Sequence, residues 1–189
     1  MITTKEQIRN AAARLFRKRG YRATSMRDIA EAVDIKAASI YNHFKSKQEI
    51  LQGLLMEIAH QFEEGMQQIT KSSLPPNQKM ERVIALHIRL TIENTDSIAL
   101  IASEWVHLED PVATTYLHIR NTYEEDLRKI IEAGKESGVF QNADTEIILF
   151  SVLSTLRWLY SWYSKNKNYN QIELEQQLIQ CLIGGINAI

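Results

Sequence analysis

Cysteine, proline and glycine are scarce in this chain, whose 189 residues include one Cys, three Pro and seven Gly. A single cysteine excludes a disulfide framework. The low content of glycine and proline excludes the collagen-like and low-complexity classes. Hydrophobic residues make up 44% of the chain, which is enough to form a substantial core.

Long hydrophobic runs are also lacking. Charged residues interrupt every hydrophobic stretch before it reaches the roughly 18 residues that a membrane helix needs. Even the apolar stretch 147–163 contains Arg157. The N-terminus has no apolar segment of the kind found in signal peptides. We therefore expect a cytoplasmic protein that does not contact a membrane.

The formal net charge of −1 hides an uneven distribution of charge. Residues 1–51 hold 11 of the 22 basic side chains but only 5 of the 23 acidic ones. A basic N-terminal segment joined to an acidic remainder indicates that the segment binds a polyanion such as DNA. Ordinary surface charge is the alternative that the charge distribution by itself leaves open.

Apolar side chains recur every three or four residues along nearly the whole chain, and no stretch alternates as a half-buried strand would. This pattern predicts an all-α protein. Three helices are predicted in residues 1–50 and six in residues 51–189. We expect residues 1–50 and residues 51–189 to form two separate domains.

Several helix ends carry clear sequence signals. Gly20 is predicted to end the first helix, and Ser25 with Asp28 three residues later predicts a capping box at the start of the second. The third helix is predicted over 36–42. Further along the chain, the spacing predicts a single helix over 96–108.

The second and third predicted helices are short, are joined by a tight turn over 33–35 and are supported by the first helix. This is the layout of a helix-turn-helix, in which the last helix lies in the major groove and its neighbours contact phosphates. Free backbone N–H groups at helix starts favour phosphate. The predicted phosphate contacts at the three helix starts are Thr24, Ser25, Arg27, Lys36, Lys45, Ser46 and Lys47.

Two ordered stretches, Thr24-Ser-Met-Arg-Asp-Ile-Ala-Glu-Ala32 and Ser39-Ile-Tyr41-Asn-His-Phe44-Lys-Ser-Lys47, resemble the TetR family of transcriptional regulators. The resemblance covers about residues 8–51, and the remainder is similar only in helical layout. It implies an all-helical homodimer that binds a palindromic operator, most often as a repressor. It also implies that residues 1–50 bind the DNA and that the six-helix body, residues 51–189, forms the dimer and contains a ligand pocket. Occupation of this pocket is expected to release the DNA.

Carried over by position, the resemblance assigns phosphate contacts to Tyr41 and Lys47 and places His43 at the edge of the DNA backbone. It assigns Thr24 both a capping role and a DNA contact. This chain departs from the family pattern at the turn, where Asp34 replaces the usual Gly. Aspartate tolerates the left-handed conformation better than most residues, so the motif is expected to survive.

The predicted third helix also differs from the family pattern, because Lys36 replaces the usual Ser and two alanines follow it. Lys36 is expected to donate to guanine, Ser39 and Asn42 are further polar candidates for base contacts, and Ala37 and Ala38 are expected to pack on thymine methyl groups. For Asn42, simple exposure on a short helix is an equally good interpretation.

The body is expected to bind a small, largely apolar effector. A mainly apolar pocket with one or two arginines suits a hydrophobic anion such as an acyl-CoA. The run 158–163 also resembles acyl-CoA-responsive members of the family. For each aromatic residue in the predicted ligand site, core packing is the favoured alternative. For each histidine, the favoured alternative is a partly buried side chain whose hydrogen bonds are satisfied within the chain. The predicted ligand-binding residues are His87, Trp105, Arg120, Tyr123, Arg157 and Trp158.

The last two predicted helices are apolar over wide arcs, which indicates a subunit interface. A terminal hairpin packed inward on a monomer is the alternative. The predicted interface residues are Phe150, Leu153, Leu178, Leu182 and Ile186.

The sequence lacks the patterns of an enzyme or a metal sensor. Cys181 has no neighbouring His, and no Ser lies in a nucleophile elbow. The histidines do not have metal-ligand spacing. We therefore expect neither catalysis nor a cofactor. A helical protein-interaction module without specific DNA binding remains the structural rival.

Overall fold

The computed structural model of this chain describes residues 3–186, and these residues are helical without a β-strand. The prediction of an all-α protein is therefore confirmed. The N-terminal helices are α1 (Thr4–Arg19), α2 (Met26–Ala32), α3 (Ala37–Ile40) and α4 (Lys47–Lys71). They are followed by α5 (Pro76–Glu93), α6 (Thr95–Ser103), a 3₁₀ turn (Trp105–His107), α7 (Val112–Glu136), α8 (Thr145–Tyr163) and α9 (Gln171–Gly184).

Packing divides the chain into two compact units. Unit 1 consists of residues 3–59 and 96–116, and unit 2 consists of residues 60–95 and 117–186. The segment 96–116 thus belongs with the N-terminal helices. The predicted domains, 1–50 and 51–189, are defined by their functions, whereas these two units are defined by packing alone. The predicted domain boundary therefore stays a prediction.

The local signals at the helix-turn-helix act as the sequence predicts. The Gly20 N–H donates to the carbonyl of Phe16 at 2.8 Å and ends α1 with a φ of 84°. Ser25 and Asp28 form the capping box of α2. The N–H of Asp28 donates to the hydroxyl of Ser25 at 3.1 Å, and the N–H of Ser25 donates to the carboxylate of Asp28 at 2.7 Å. Asp34 adopts the expected left-handed conformation with a φ of 55°.

Two helices differ from their predicted bounds. The third ends at Ile40 instead of residue 42, because the N–H groups of Asn42 and His43 bond three residues back and tighten the last turn. The single helix predicted over 96–108 is interrupted at Glu104, after which the 3₁₀ turn begins. Helical periodicity does not distinguish these tighter turns from α-helix.

The core of unit 1 fixes the position of α3. Ile40 is fully buried and Phe44 is 5% exposed, so both anchor the short helix from beneath. They join a buried cluster from α1, α2 and the start of α4. Its other members are Ile8, Ala12, Phe16, Ile29, Ile50, Leu51 and Leu54.

In unit 2, α5 packs against α8 and α9. Close approach of α4 and α5 depends on Gly65, where a Cβ atom would lie 2.6 Å from the Leu86 side chain. Asp144 caps α8 by accepting from the N–H of Glu146 at 2.8 Å. None of the helices within residues 3–186 combines the length and apolar character that crossing a membrane requires.

Candidate DNA-binding surface and effector site

The residues predicted to contact bases lie on the outer side of α3. Lys36, Ala37, Ala38 and Asn42 are exposed, and Ser39 is half-buried. Their exposure follows from the burial of Ile40 and Phe44, which turns the opposite face of the short helix to solvent. The structure therefore brings these candidates together on one accessible surface.

The predicted phosphate contacts flank this surface. Tyr41 is 56% exposed, Ser25, Lys45 and Ser46 are exposed, and His43 is half-buried. An exposed tyrosine beside exposed Ser and Lys side chains offers both hydrogen-bond donors and positive charge. These groups are suited to phosphate oxygens.

Four of the cations in unit 1 are already neutralised by ion pairs within it. The pairs are Arg9 with Glu57, Arg17 with Asp96, Arg19 with Asp28 and Arg27 with Glu31. By contrast, Lys36 and Lys45 have no carboxylate partner within residues 3–186. Their charges therefore remain available to an external polyanion.

Thr24 is almost fully buried, at 1% exposure. Its hydroxyl donates to the carbonyl of Gly20 at 3.0 Å, which ties the loop before α2 to the end of α1. In the free protein this side chain therefore has a structural role. Its contact with DNA stays a prediction.

Lys47 fastens the start of α4 to the loop between α1 and α2. Its ammonium donates to the carbonyls of Tyr21 at 2.7 Å and Thr24 at 2.6 Å, and it lies 4.3 Å from the centre of the Tyr21 ring. Partial burial lowers the pKa of Lys47. The predicted phosphate contact of Lys47 is untested, and its carbonyl bonds are a role that the sequence did not indicate.

In unit 2, a buried polar pair joins α5 to α7. His87 Nε2 lies 2.9 Å from the hydroxyl of Tyr123, and both side chains are less than 9% exposed. The ring of Phe62 lies 4.6 Å from that of His87. The structure thus brings together two of the predicted ligand residues and adds Phe62, which is not among the predicted ligand residues.

Burial sets the charge state of this pair. It lowers the pKa of His87 to about 3, with a smaller contribution from the positive charge of Arg157, and it raises the pKa of Tyr123. Both side chains are therefore neutral at physiological pH. Arg157 itself is exposed and ion-paired with Glu124.

The other predicted ligand residues have different surroundings. Trp105 belongs to unit 1, where its ring stacks on Tyr116 with the centroids 5.9 Å apart. Trp158 is 66% exposed on α8. Arg120 is half-buried on α7, one helical turn before Tyr123. Whether any of these side chains contacts an effector stays a prediction.

A separate open groove of about 470 Å³ lies on unit 2 between α4, α5 and the start of α9. Gln68, Arg82, Leu86, Arg89 and Glu175 are among its lining residues. None of the six predicted ligand residues lines it. The groove is therefore distinct from the His87–Tyr123 pair.

One side of α8 exposes four large apolar side chains among serines. Ile147, Phe150 and Trp158 are 63%, 68% and 66% exposed, and Trp162 is 40% exposed. Their spacing of 3, 8 and 4 residues places them on a single face of the helix, which we call the α8 stripe.

Of the predicted interface residues, only Phe150 belongs to the α8 stripe. Leu153 and Ile186 are buried within the chain, at 3% and 6% exposure, and Leu178 and Leu182 are half-buried on α9. The serines of α8 and Arg157 all lie on the same side of the helix as the stripe, so the polar pattern of α8 turns Leu153 inward. The interface assignment stays a prediction.

No three His, Cys, Asp or Glu side chains cluster as metal ligands in the part of the chain that the structure describes. Cys181 is exposed on α9.

The neutral state of His87 predicts an acid-sensitive fold. Below pH 6.5 the unfolded chain binds a proton at His87 that the folded chain does not bind, so the free energy of unfolding falls as the pH falls toward 3. Between pH 7.5 and 5.5 this residue should account for a loss of about 1.4 kcal/mol. Urea unfolding at both pH values checks this for the wild type and for His87→Phe.

Between pH 7.5 and 5.5, the free energy of unfolding of His87→Phe should fall by about 1.4 kcal/mol less than that of the wild type, because phenylalanine does not titrate. His118→Ala, at an exposed position, is the control and should keep the pH dependence of the wild type. Equal losses in the wild type and His87→Phe would contradict the neutral buried pair.

Comparisons with known proteins agree with this geometry. Residues 8–54 match the model of the bacterial regulatory proteins of the tetR family, and residues 73–186 match that of the tetracyclin repressor-like C-terminal domain. The HTH-type transcriptional repressor KstR2 of Rhodococcus jostii is 28% identical over 186 residues, which cover 95% of this chain and 89% of the repressor.

Two solved structures show the same fold. The ketosteroid transcriptional regulator KstR2 of Mycobacterium tuberculosis superposes with a TM-score of 0.92 at 21% identity, covering 100% of this chain and 97% of that one. The structure of AibR in complex with isovaleryl coenzyme A and operator DNA superposes with a TM-score of 0.79 at 22% identity. The match covers 95% of this chain and 97% of the AibR chain.

The two family models together match most of the chain, and their members are transcriptional regulators and not enzymes. The chain therefore belongs to the TetR family of DNA-binding transcriptional regulators.

Proposed function

We propose that this chain is a homodimeric repressor that binds a palindromic operator and is released from it by a small, largely apolar effector. Residues 1–50 bind the DNA, and residues 51–189 form the dimer and bind the effector. The observation that carries the proposal is the accessible row of side chains on α3 above the buried anchors Ile40 and Phe44.

The surface chemistry of α3 supports binding in the major groove. Lys36 is an exposed donor without a carboxylate partner within residues 3–186, and lysine pairs well with the acceptors of guanine. The methyl groups of Ala37 and Ala38 are exposed beside it and fit against thymine methyls. Tyr41 and Lys45 flank this row and supply contacts to phosphate, which carry no sequence information.

Two lysines on this surface should therefore have separable effects. Selection of bound duplexes from random DNA should enrich an inverted repeat for the wild type, with half-sites about one helical turn apart. Lys45→Ala should enrich the same repeat but bind it more weakly, with a salt dependence lower by about one unit of slope. Lys36→Ala should change the preferred base at one position of each half-site.

A variant of an exposed lysine in unit 2, Lys167→Ala, is the control and should behave as the wild type. Failure of the wild type to enrich any sequence would contradict the proposal. It would favour a helical protein-interaction module that does not bind specific DNA.

The α8 stripe supports a dimer of this chain. Four large apolar side chains exposed on one helix face are costly to leave in water, and exposed apolar surface of this extent marks protein interfaces. A twofold axis would place the stripe against its own copy, which is the commonest arrangement of homodimers. The half-buried Leu178 and Leu182 of α9 supply further apolar surface.

A charge in the middle of the stripe should dissociate this dimer. Phe150→Glu is expected to shift the protein from dimer to monomer in analytical ultracentrifugation, because the carboxylate would be buried without a partner. Val106→Glu, at an apolar position of unit 1 that is 60% exposed, is the matched control and should remain dimeric. A Phe150→Glu variant with the dimer mass of the wild type would show that the interface lies elsewhere.

The effector is proposed to be an acyl-CoA or another hydrophobic anion. The neutral His87–Tyr123 pair lies among apolar neighbours such as Phe62 and offers a polar contact for a ligand oxygen. Arg120, half-buried one helical turn before Tyr123, provides positive charge, and Arg157 would contribute by exchanging its ion pair with Glu124 for the anionic group of the effector. Isovaleryl coenzyme A, which is bound in the structure of AibR, belongs to this chemical class.

Binding of an acyl-CoA should raise the melting temperature of the protein and release its selected operator. Isovaleryl-CoA and palmitoyl-CoA are the probes, and free CoA and palmitate are the controls. His87→Phe should weaken both effects, whereas Ile172→Ala, at a position 66% exposed on α9, should leave them unchanged. If neither acyl-CoA shifted the melting temperature of the wild type, this class of effector would be excluded.

A further inference from the structure

Arg22 differs from the four ion-paired arginines of unit 1. It lies in the loop between α1 and α2, is exposed and has no carboxylate partner within residues 3–186. Its Nε instead donates to Nε2 of His107 at 3.1 Å. Because a histidine ring that accepts this bond is neutral at that nitrogen, the positive charge of Arg22 is held in place without being neutralised.

His107 is itself firmly positioned. Its carbonyl accepts from the side-chain amide of Gln48 at 2.9 Å, and its ring lies 5.3 Å from the ring of Tyr21. The hydroxyl of Tyr21 donates to Gln48 at 2.5 Å, which closes the cluster. The other ring nitrogen of His107 is buried and lies 3.1 Å from a carboxylate oxygen of Glu104, in a geometry that is not a hydrogen bond.

These contacts connect the 3₁₀ turn to the DNA-binding surface within unit 1. Arg22 lies three residues before Ser25, where the capping box opens α2 and where a phosphate contact is predicted. A guanidinium has five N–H donors, and the bond to His107 occupies only the one at Nε. The terminal nitrogens of Arg22 remain available for phosphate oxygens.

We propose that Arg22 is a further phosphate contact of this protein and that His107 is the residue that positions it. This inference rests on the proposed function, because it needs a DNA-bound state. The 3₁₀ turn then influences DNA affinity by holding one cation beside the start of α2.

The test uses the full chain and its selected operator duplex over a salt series. Arg22→Ala is expected to weaken binding about 3- to 10-fold at 150 mM salt and to lower the salt dependence by about one unit of slope. Arg82→Ala, which removes an exposed cation of unit 2, is the control and should change neither quantity.

The positioning role of His107 predicts a different pattern. His107→Leu should weaken binding to the operator but keep the wild-type salt slope, because the charge of Arg22 is still present. His107→Gln should restore most of the affinity, since its amide oxygen can accept the bond from Arg22. In the Arg22→Ala background, His107→Leu should cause no further loss, which is the signature of two residues that act through one contact.

The outcomes separate this inference from the proposed function. A wild type that binds no operator would overturn both. A wild type that binds, together with an Arg22→Ala variant of unchanged affinity and salt slope, would overturn the phosphate contact alone. A His107→Leu loss that persists fully in the Arg22→Ala background would show that His107 supports the fold without positioning Arg22.

Discussion

The ammonium of Lys47 holds together the parts of the surface that is proposed to bind DNA. By donating to the carbonyls of Tyr21 and Thr24, it joins the first turn of α4 to the loop that leads into α2. These are charge-assisted bonds in a partly desolvated place, so they are stronger than bonds on an open surface. The capping box at Ser25 and the Arg22–His107 contact both depend on the position of this loop.

Unit 2 combines a neutral buried pair with large apolar side chains exposed on α8. His87 and Tyr123 satisfy each other by a hydrogen bond, so their burial does not require a counter-ion. In the α8 stripe, the ring of Trp162 contacts that of Tyr169 and the ring of Trp158 that of Tyr160, but Phe150 and Trp158 stay largely exposed. A fold that buries polar groups well yet leaves large apolar side chains in water is suited to association with a second copy.

Local structure was predictable from the sequence wherever a short-range interaction determines it. Helical periodicity predicts the all-α fold, and the Ser25–Asp28 box follows from residues three positions apart. The left-handed conformation of Asp34 is expected from the resemblance to the TetR family, in which a Gly usually occupies this position. The polar residues of α8, among them Ser154 and Arg157, mark its outer side, and this pattern places Leu153 on the inner side, where the structure buries it. The interface prediction considered only the apolar residues of α8 and so included Leu153. Tertiary contacts were not predictable in this way. The Arg22–His107 bond joins residues 85 positions apart, and no local pattern indicates it.

The central claim is that two copies of the α3 surface contact adjacent major grooves of one operator. Hydroxyl-radical footprinting of the wild-type protein on its selected duplex tests this claim most directly. We expect two protected patches related by twofold symmetry, on the same side of the duplex and separated by about one helical turn of roughly 34–36 Å. A single patch, or protection spread evenly over any sequence, would contradict a symmetric pair of DNA-binding surfaces.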